Sequence, residues 1–374
     1  MAHTETGPIP ITRPTIGSEE LEAVSAVLRS GYLVQGPHVA EFERLVADAA
    51  GREHAVALSN CTAALRVALL AIGVGEGDRV AVTSYSWIAT ANVIELVGAT
   101  PVFVDVDEST FNMDPTALER VLSGGQSVKA VIAVDTFGNP AAMETVESLA
   151  SEAGVALIED AACALGASSN GRAAGSFGIA GCFSFHPRKI ITTGEGGMLV
   201  TDDERVASFA RRHRNHGLEL SEQGAEFVDP GDNLRMTDFQ AALGVAQMHR
   251  LHELISERLT LAARYDDMVR AVGCRPQVRS PHAAVQSYVV VVPPAASAQQ
   301  TIQTLRAQGI EATIGTNAIP FTPYFNASYG ATDAEFPNTA ALRDRAVTLP
   351  LFPGMSFEDQ ERVVRALGDA VATA

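Results

Sequence analysis

The chain has 374 residues, 47% of them hydrophobic and 19% charged, and a formal net charge of -17. That size and composition predict a folded protein with a large core and more than one ordinary domain, and they exclude a disordered chain. The acidic balance argues against a nucleic-acid backbone or an anionic membrane surface as partner, and no apolar run approaches the length of a membrane span.

Residues 1–10 have neither a basic start nor an apolar core, so they predict no secretory signal, and the expected location is cytoplasmic. The four cysteines (Cys61, Cys163, Cys182 and Cys274) show no CxxC spacing. They read as thiols in a reducing compartment, with neither a disulfide framework nor a metal site.

Residues 1–16 hold three prolines and no periodicity, which predicts an extended arm. Leu21, Val24, Val27 and Leu28 share one face of a helix predicted over 18–30, closed by Gly31. A second helix is predicted over 37–50, with Val39, Phe42 and Val46 inward. A strand at 54–58 then runs into the small polar turn Ser59-Asn60-Cys61-Thr62 and a helix over 63–72. Such a turn offers free amides and a helix dipole to an anion; it reads equally well as an ordinary cap by Ser59 or Asn60. A strand at 79–83 leads through Ser84-Tyr85-Ser86-Trp87 into a helix over 88–97. Trp87, the only Trp, is either core packing or a stacking surface.

Strands at 101–106, 129–135 and 155–159 alternate with helices over 114–122 and 142–153. Near-continuous apolar strands in this alternation predict a buried, mostly parallel sheet, with functional groups at the strands' carboxyl ends. The glycine run at 73–77 follows a helix and lacks GxGxxG spacing, so it is not a dinucleotide turn. Asp160 follows the third of these strands, in Ile158-Glu159-Asp160-Ala161-Ala162-Cys163. A carboxylate there can hold a protonated ring nitrogen or cap the following helix.

A further strand runs into Ser184, and Lys189 stands on the turn between it and a strand at 198–201. Desolvation favours a neutral amine, which is a nucleophile toward carbonyls; a head group reaching solvent is the other reading. Residues 202–204 cap a helix to about 215, whose Arg211, Arg212 and Arg214 read as a solvated face. A loop rich in Gly and acids spans 217–232. Asn233-Leu234-Arg235-Met236-Thr237-Asp238 then opens a helix to about 259. Beyond 255 a smaller α+β region is predicted, with strands at 286–292 and 311–314, a helix over 298–308, a loop over 315–325 and a closing amphipathic helix.

The stretch Phe183-Ser184-Phe185-His186-Pro187-Arg188-Lys189, continuing through Thr192-Thr193-Gly194-Glu195-Gly196-Gly197, resembles the lysine motif FSFHxxKxITTxEGG. That motif belongs to the pyridoxal-phosphate (PLP)-dependent sugar aminotransferases of the DegT/StrS type, which have the aspartate-aminotransferase fold. The resemblance runs from about residue 10 to the C-terminus. It implies an α/β fold: an arm over 1–16, a large PLP-binding domain over 17–254 with a mostly parallel seven-stranded sheet between helices, and a small α+β domain over 255–374.

The resemblance implies that Lys189 forms the Schiff base with PLP, and members with His at this place are dehydratases. It implies that Asp160 pairs with the pyridinium nitrogen and that Trp87 stacks on the ring. Cys61, Thr62 and Ser184 would hold the phosphate, together with Asn233 of the partner subunit and, more weakly, Arg235. The family usually has Gln or His near the cofactor's 3′ oxygen, where this chain has Cys163. Tyr32, Arg188, Asn317 and Tyr324 are the candidates for substrate contact, although the family's His-Tyr pair near 317 is missing. The implied partners are a keto-sugar nucleotide, L-glutamate and a second copy of the chain in a homodimer with shared active sites. Members acting at the sugar C4 tend to carry this motif, and those acting at C3 tend to read FYPxKNLGAxGDGG. A dTDP- or UDP-linked 4-keto-6-deoxy sugar is therefore expected, in natural-product (antibiotic) or glycan sugar biosynthesis. A keto-cyclitol such as scyllo-inosose is the alternative, and a non-catalytic regulatory protein on the same fold is the alternative of another class.

Overall fold

A computed structural model describes residues 7–125, 127–221 and 224–372; the first six residues of the predicted arm lie outside it. The centre is a seven-stranded sheet of β1 (His54–Leu58), β2 (Arg79–Thr83), β3 (Thr100–Val104), β4 (Ala130–Val134), β5 (Ala156–Asp160), β6 (Ala180–Ser184) and β7 (Gly197–Thr201). The order across the sheet is β1-β7-β6-β5-β4-β2-β3, and only β7 runs against its neighbours. Six strands therefore end on one side of the sheet, where loops can gather functional groups.

The helices of this part are α1 (Ser18–Ser30), α2 (Pro37–Ala50), α3 (Cys61–Ala71), α4 (Ala89–Leu96), α5 (Pro115–Ser123), α6 (Met143–Glu152), α7 (Glu204–His213) and α8 (Asp238–His249). Strand side chains alternate between the two faces. Val56, Leu58, Val82, Ile132, Ile158 and Leu199 pack with α3, α4 and α7 on one face. The opposite face packs with α2 and α8 at the β1 end, and with α5 and α6 at the β3 end. Phe42, which the sequence placed inward, is fully buried against Phe185 of the lysine stretch, with ring centroids 4.7 Å apart. Burying one such ring contributes about 2–3 kcal/mol.

The helix expected to run to about 259 is two helices. It breaks at Arg250 (φ -105°, ψ 2°), and α9 continues over Leu251–Ala271. Leu251, Leu254 and Ile255 of α9 belong to the core around α2 and α8, while Leu261, Tyr265 and Val269 belong to a separate C-terminal core. That second core is built on a four-stranded sheet, β8 (Arg275–Pro276), β9 (Tyr288–Val291), β10 (Thr313–Ile314) and β11 (Ala346–Leu349), in the order β8-β9-β11-β10. Residues 7–16 run extended along this unit, where Ile9 is buried and bonds to Gly309 and Glu311 through the backbone.

Two further expectations are corrected. The loop over 217–232 contains a short hairpin, Leu218–Ser221 with Gly224–Phe227. Arg214 is not on a solvated face: it is buried, and its Nη1 donates to Glu43 Oε1 at 2.5 Å and to the Ala57 carbonyl at 2.7 Å. Among the described residues no helix is long and apolar enough to cross a membrane.

Candidate active site

Lys189 lies in the connection between β6 and β7, at the end of the sheet where the parallel strands finish. The connection is held by its own backbone. Lys189 N donates to the His186 carbonyl at 2.8 Å, Phe185 N to Gly196 O at 2.9 Å, and Thr193 N to Phe185 O at 3.0 Å. The glycine at 197 is required by close approach: a Cβ there would lie 2.2–2.4 Å from the backbone of Asn60 and Cys61. That contact, with the pairing of Gly197 to both Leu58 and Ser184, brings the 59–62 turn beside the lysine connection.

Lys189 Nζ donates to Cys163 Sγ at 3.0 Å. Burial alone lowers an ammonium's pKa, as the sequence argument assumed. Here Cys163, Cys61 and Asp160 more than offset burial, and the Lys189 pKa is raised above its ordinary value. Without a cofactor the residue is therefore a held cation. Desolvation by itself does not make it a free amine.

Asp160 is the last residue of β5 and is 4% exposed. Its Oδ2 accepts from Thr90 Oγ1 at 2.8 Å and its Oδ1 from the Ala162 amide at 3.2 Å, so it does cap the turn that follows. No Lys, Arg or His lies within ion-pair distance of it among the described residues. Burial pushes its pKa up, against the pull of Thr90 and Lys189. Thr90 was not legible as a site residue; the available signal was its place in the first turn of a helix following Trp87.

Two more carboxyls lie behind Asp160. Glu159 points to the opposite face of β5 and accepts from the Gly175 and Phe177 amides at 2.8 and 2.9 Å. Asp135, fully buried, faces Glu159, and neither of its oxygens accepts a hydrogen bond from an N–H or hydroxyl donor among the described residues. Burial and then Glu159 push its pKa well up. The folded protein therefore keeps a proton that the unfolded chain releases above the ordinary carboxyl range, and stability falls as pH rises through that window. Asp135→Asn is expected to flatten this slope in the cofactor-free protein by up to one proton, about 1.4 kcal/mol per pH unit. Urea midpoints between pH 5 and 8 measure it, and an unchanged slope refutes the assignment.

The 59–62 turn caps the helix that follows it, one of the two readings the sequence allowed. Asn60 Oδ1 caps α3 through the Ala63 amide at 2.8 Å. The amides of Cys61 and Thr62 have no internal acceptor among the described residues, so the start of α3 keeps two donors for an anion. Ser184 ends β6 and is half-buried beside them. Trp87 is not core: it is 66% exposed, immediately before α4. Asn317 pairs with Ser86 through the short strands Tyr85–Ser86 and Asn317–Ala318, which brings it next to Trp87.

The remaining candidates are more scattered. Arg188 is exposed beside Lys189, and its side chain makes no ion pair among the described residues. Arg235 Nη1 is engaged on Asn215 Oδ1 at 2.6 Å. Asn233 is exposed, close to the 59–62 turn, since the next residue's carbonyl accepts from Ser59 N at 2.8 Å. Tyr32 is 79% exposed in the segment after α1. Tyr324 is bound to Glu95 near the end of α4 remote from Trp87. Among the described residues no cluster of His, Cys, Asp and Glu could hold a metal ion.

These observations fit PLP. A buried carboxylate without a basic partner, an amine facing it from the next strand's loop, and two free amides at a helix start are the donors and acceptors that a phosphorylated pyridine aldehyde needs.

The family model described as the DegT/DnrJ/EryC1/StrS aminotransferase family matches residues 14–368. The chain is 37% identical, over 97% of each protein, to the spore coat polysaccharide biosynthesis protein SpsC of Bacillus subtilis. It is similar in structure to the putative sugar aminotransferase Spr1654 of Streptococcus pneumoniae in its pyridoxamine-phosphate (PMP) form. The TM-score is 0.92 at 27% identity, covering 98% of both chains. DesI, solved in the presence of its TDP-sugar product, matches with a TM-score of 0.87 at 31% identity, covering 97% of this chain and 93% of that one.

Proposed function

Since the chain belongs to the DegT/DnrJ/EryC1/StrS aminotransferase family and is a PLP-dependent sugar aminotransferase, we propose that it aminates C4 of a dTDP-linked 4-keto-6-deoxyhexose, with L-glutamate as donor. The observation that carries this reading is the constellation of Lys189, Cys163 and Asp160 at the carboxyl end of the sheet, inside a motif of the C4-acting type. The similarity to DesI, solved with a TDP-sugar product, favours the nucleotide. Arg188, exposed and without an ion pair among the described residues, supplies a cation for an anionic substrate in a chain of net charge -17.

When bound, PLP withdraws electrons from the carbon that loses or gains the amine. Lys189 would hold it covalently, and Asp160, oriented by Thr90 and the Ala162 amide, would hold its ring nitrogen. The Cys61 and Thr62 amides, Ser184 and Asn233 of the partner subunit would hold its phosphate. Trp87 would cover the ring. Lys189 Nζ, as the neutral amine, would be the base that takes the proton from the donor's α carbon and, once protonated, the acid that delivers a proton to the sugar carbon in the second half-reaction.

A homodimer with shared sites is part of this reading. It is supported by the exposed apolar run of Leu21, Leu28, Tyr32, Leu33 and Val34, and by the exposed Asn233. The proposed division at 255 is supported by the two cores that meet along α9. A cytoplasmic location belongs to the same reading.

The test is one half-reaction. The protein is converted with L-glutamate, freed of excess and given dTDP-4-keto-6-deoxyglucose. The expected result is return of the cofactor's original visible absorbance, with a 4-amino sugar detected by mass. Silence with that ketone and a response to scyllo-inosose replaces the sugar by the cyclitol. No change on adding glutamate overturns the donor.

A further inference from the structure

Gln286 joins the C-terminal unit to the lysine connection. It precedes β9, is 9% exposed, and donates from Nε2 to the Arg188 carbonyl at 2.7 Å. That carbonyl belongs to the peptide bond leading into Lys189. The Gln286 amide donates to Phe137 O at 2.9 Å, just beyond β4. The Gln286 carbonyl accepts from Arg258 Nη1 at 3.0 Å.

Each anchor of this residue is itself fixed at some cost. Arg258, on α9, is 1% exposed and also donates to the Leu351 carbonyl at 3.3 Å. It has no carboxylate within ion-pair distance among the described residues, and burial pushes its guanidinium down to about 10. Val285, a β-branched residue, is held at φ 49°, in the left-handed region. Gly138 (φ 89°) packs so closely that a Cβ would lie 2.7 Å from the Cys163 carbonyl and 3.2 Å from the amides of Val285 and Gln286. Strained backbone persists where surrounding contacts over-determine it. Here those contacts gather the end of β4, the turn carrying Cys163 and the entry to β9 beneath one side chain that grips the lysine connection.

We infer that Gln286 is a positioning residue for Lys189: its side-chain amide fixes the peptide before the lysine, so that the seating of the C-terminal unit on α9 sets where Nζ points. This rests on the reading that Lys189 holds PLP covalently. Loss of the amide donor should weaken the covalent linkage without touching the groups that hold the phosphate and ring.

The test compares two ligands in the full-length, cofactor-free protein. PLP links to the lysine; PMP carries an amine in place of the aldehyde and cannot. Gln286→Met keeps the side chain's length and removes the donor. It is expected to weaken PLP binding about five- to tenfold, the size of one hydrogen bond, with PMP binding by calorimetry within about twofold of wild type. Gln286→Glu, which turns the donor into an acceptor, is expected to show a larger loss with the same selectivity, and it decides the matter should the Met variant fail to fold. An unchanged PLP affinity, or equal losses for PLP and PMP, overturns the inference. Lys189→Ala is the control. If borohydride still fixes PLP to another residue of that variant as fully as to wild type, the reading of Lys189 itself fails, and the two failures remain distinct.

Discussion

Lys189→Ala is expected to lower kcat by at least about 10⁴-fold while leaving the protein folded and able to bind PLP non-covalently. The substitution removes the proposed covalent attachment and the only amine that faces both Cys163 and Asp160 among the described residues. Of the buried thiols around the site, Cys61 and Cys182 do not replace it as a base, because burial pushes both well up. The structural loss is small, since among the described residues the ammonium donates only to the Cys163 thiol. Single-turnover conversion with L-glutamate measures the effect. A variant keeping more than about one-hundredth of wild-type activity removes Lys189 from the chemistry.

Asp160→Asn is expected to lower kcat by about 10²–10³-fold, and to act on stability with the opposite sign. Asn accepts from Thr90 through its carbonyl oxygen, so the contact seen at 2.8 Å can survive. What is lost is the negative charge proposed to keep a ring nitrogen protonated. In the cofactor-free protein that charge is a liability, since burial raises the Asp160 pKa and no cation lies within ion-pair distance of it among the described residues. The folded state binds the proton more tightly than the unfolded chain, so stability is full below the ordinary carboxyl pKa and is lost as pH rises through the folded value. The Asn variant should therefore be at least as stable as wild type at pH 8 without cofactor, and gain less stability than wild type when PLP is added. Melting curves with and without PLP at pH 6 and 8 measure both effects. A variant less stable without cofactor and unimpaired with it refutes the role.

Much of the site was legible because it is local in sequence. Lys189, Ser184 and the closing glycines form one connection between two adjacent strands, and Asp160 and Cys163 form one turn. The cap in the 59–62 turn was legible for the same reason: Asn60's bond to Ala63 lies within four consecutive residues, and among the described residues it leaves the Cys61 and Thr62 amides without an internal acceptor. Arg214 and Asp135 read wrongly or not at all. An arginine on a basic helix face and a carboxylate after a strand look solvated until the fold shows Glu43, the Ala57 carbonyl and Glu159 around them. Gln286 was unreadable for the same reason, since its partners are 98, 149 and 28 residues away.

The sequence by itself determined the alternating architecture, through its hydrophobic period, and a lysine motif whose resemblance to the family implied the seven strands and the cofactor, because period and short motifs are properties of neighbouring residues. Only the tertiary structure decided the charge states and the scaffolding. Whether Lys189 is a held cation, whether Asp160 lacks a basic partner, and what fixes the peptide before the lysine all depend on groups brought within 3 Å by the pairing of distant strands. Electrostatic and hydrogen-bond energies fall off over ångströms in space and take no account of separation along the chain.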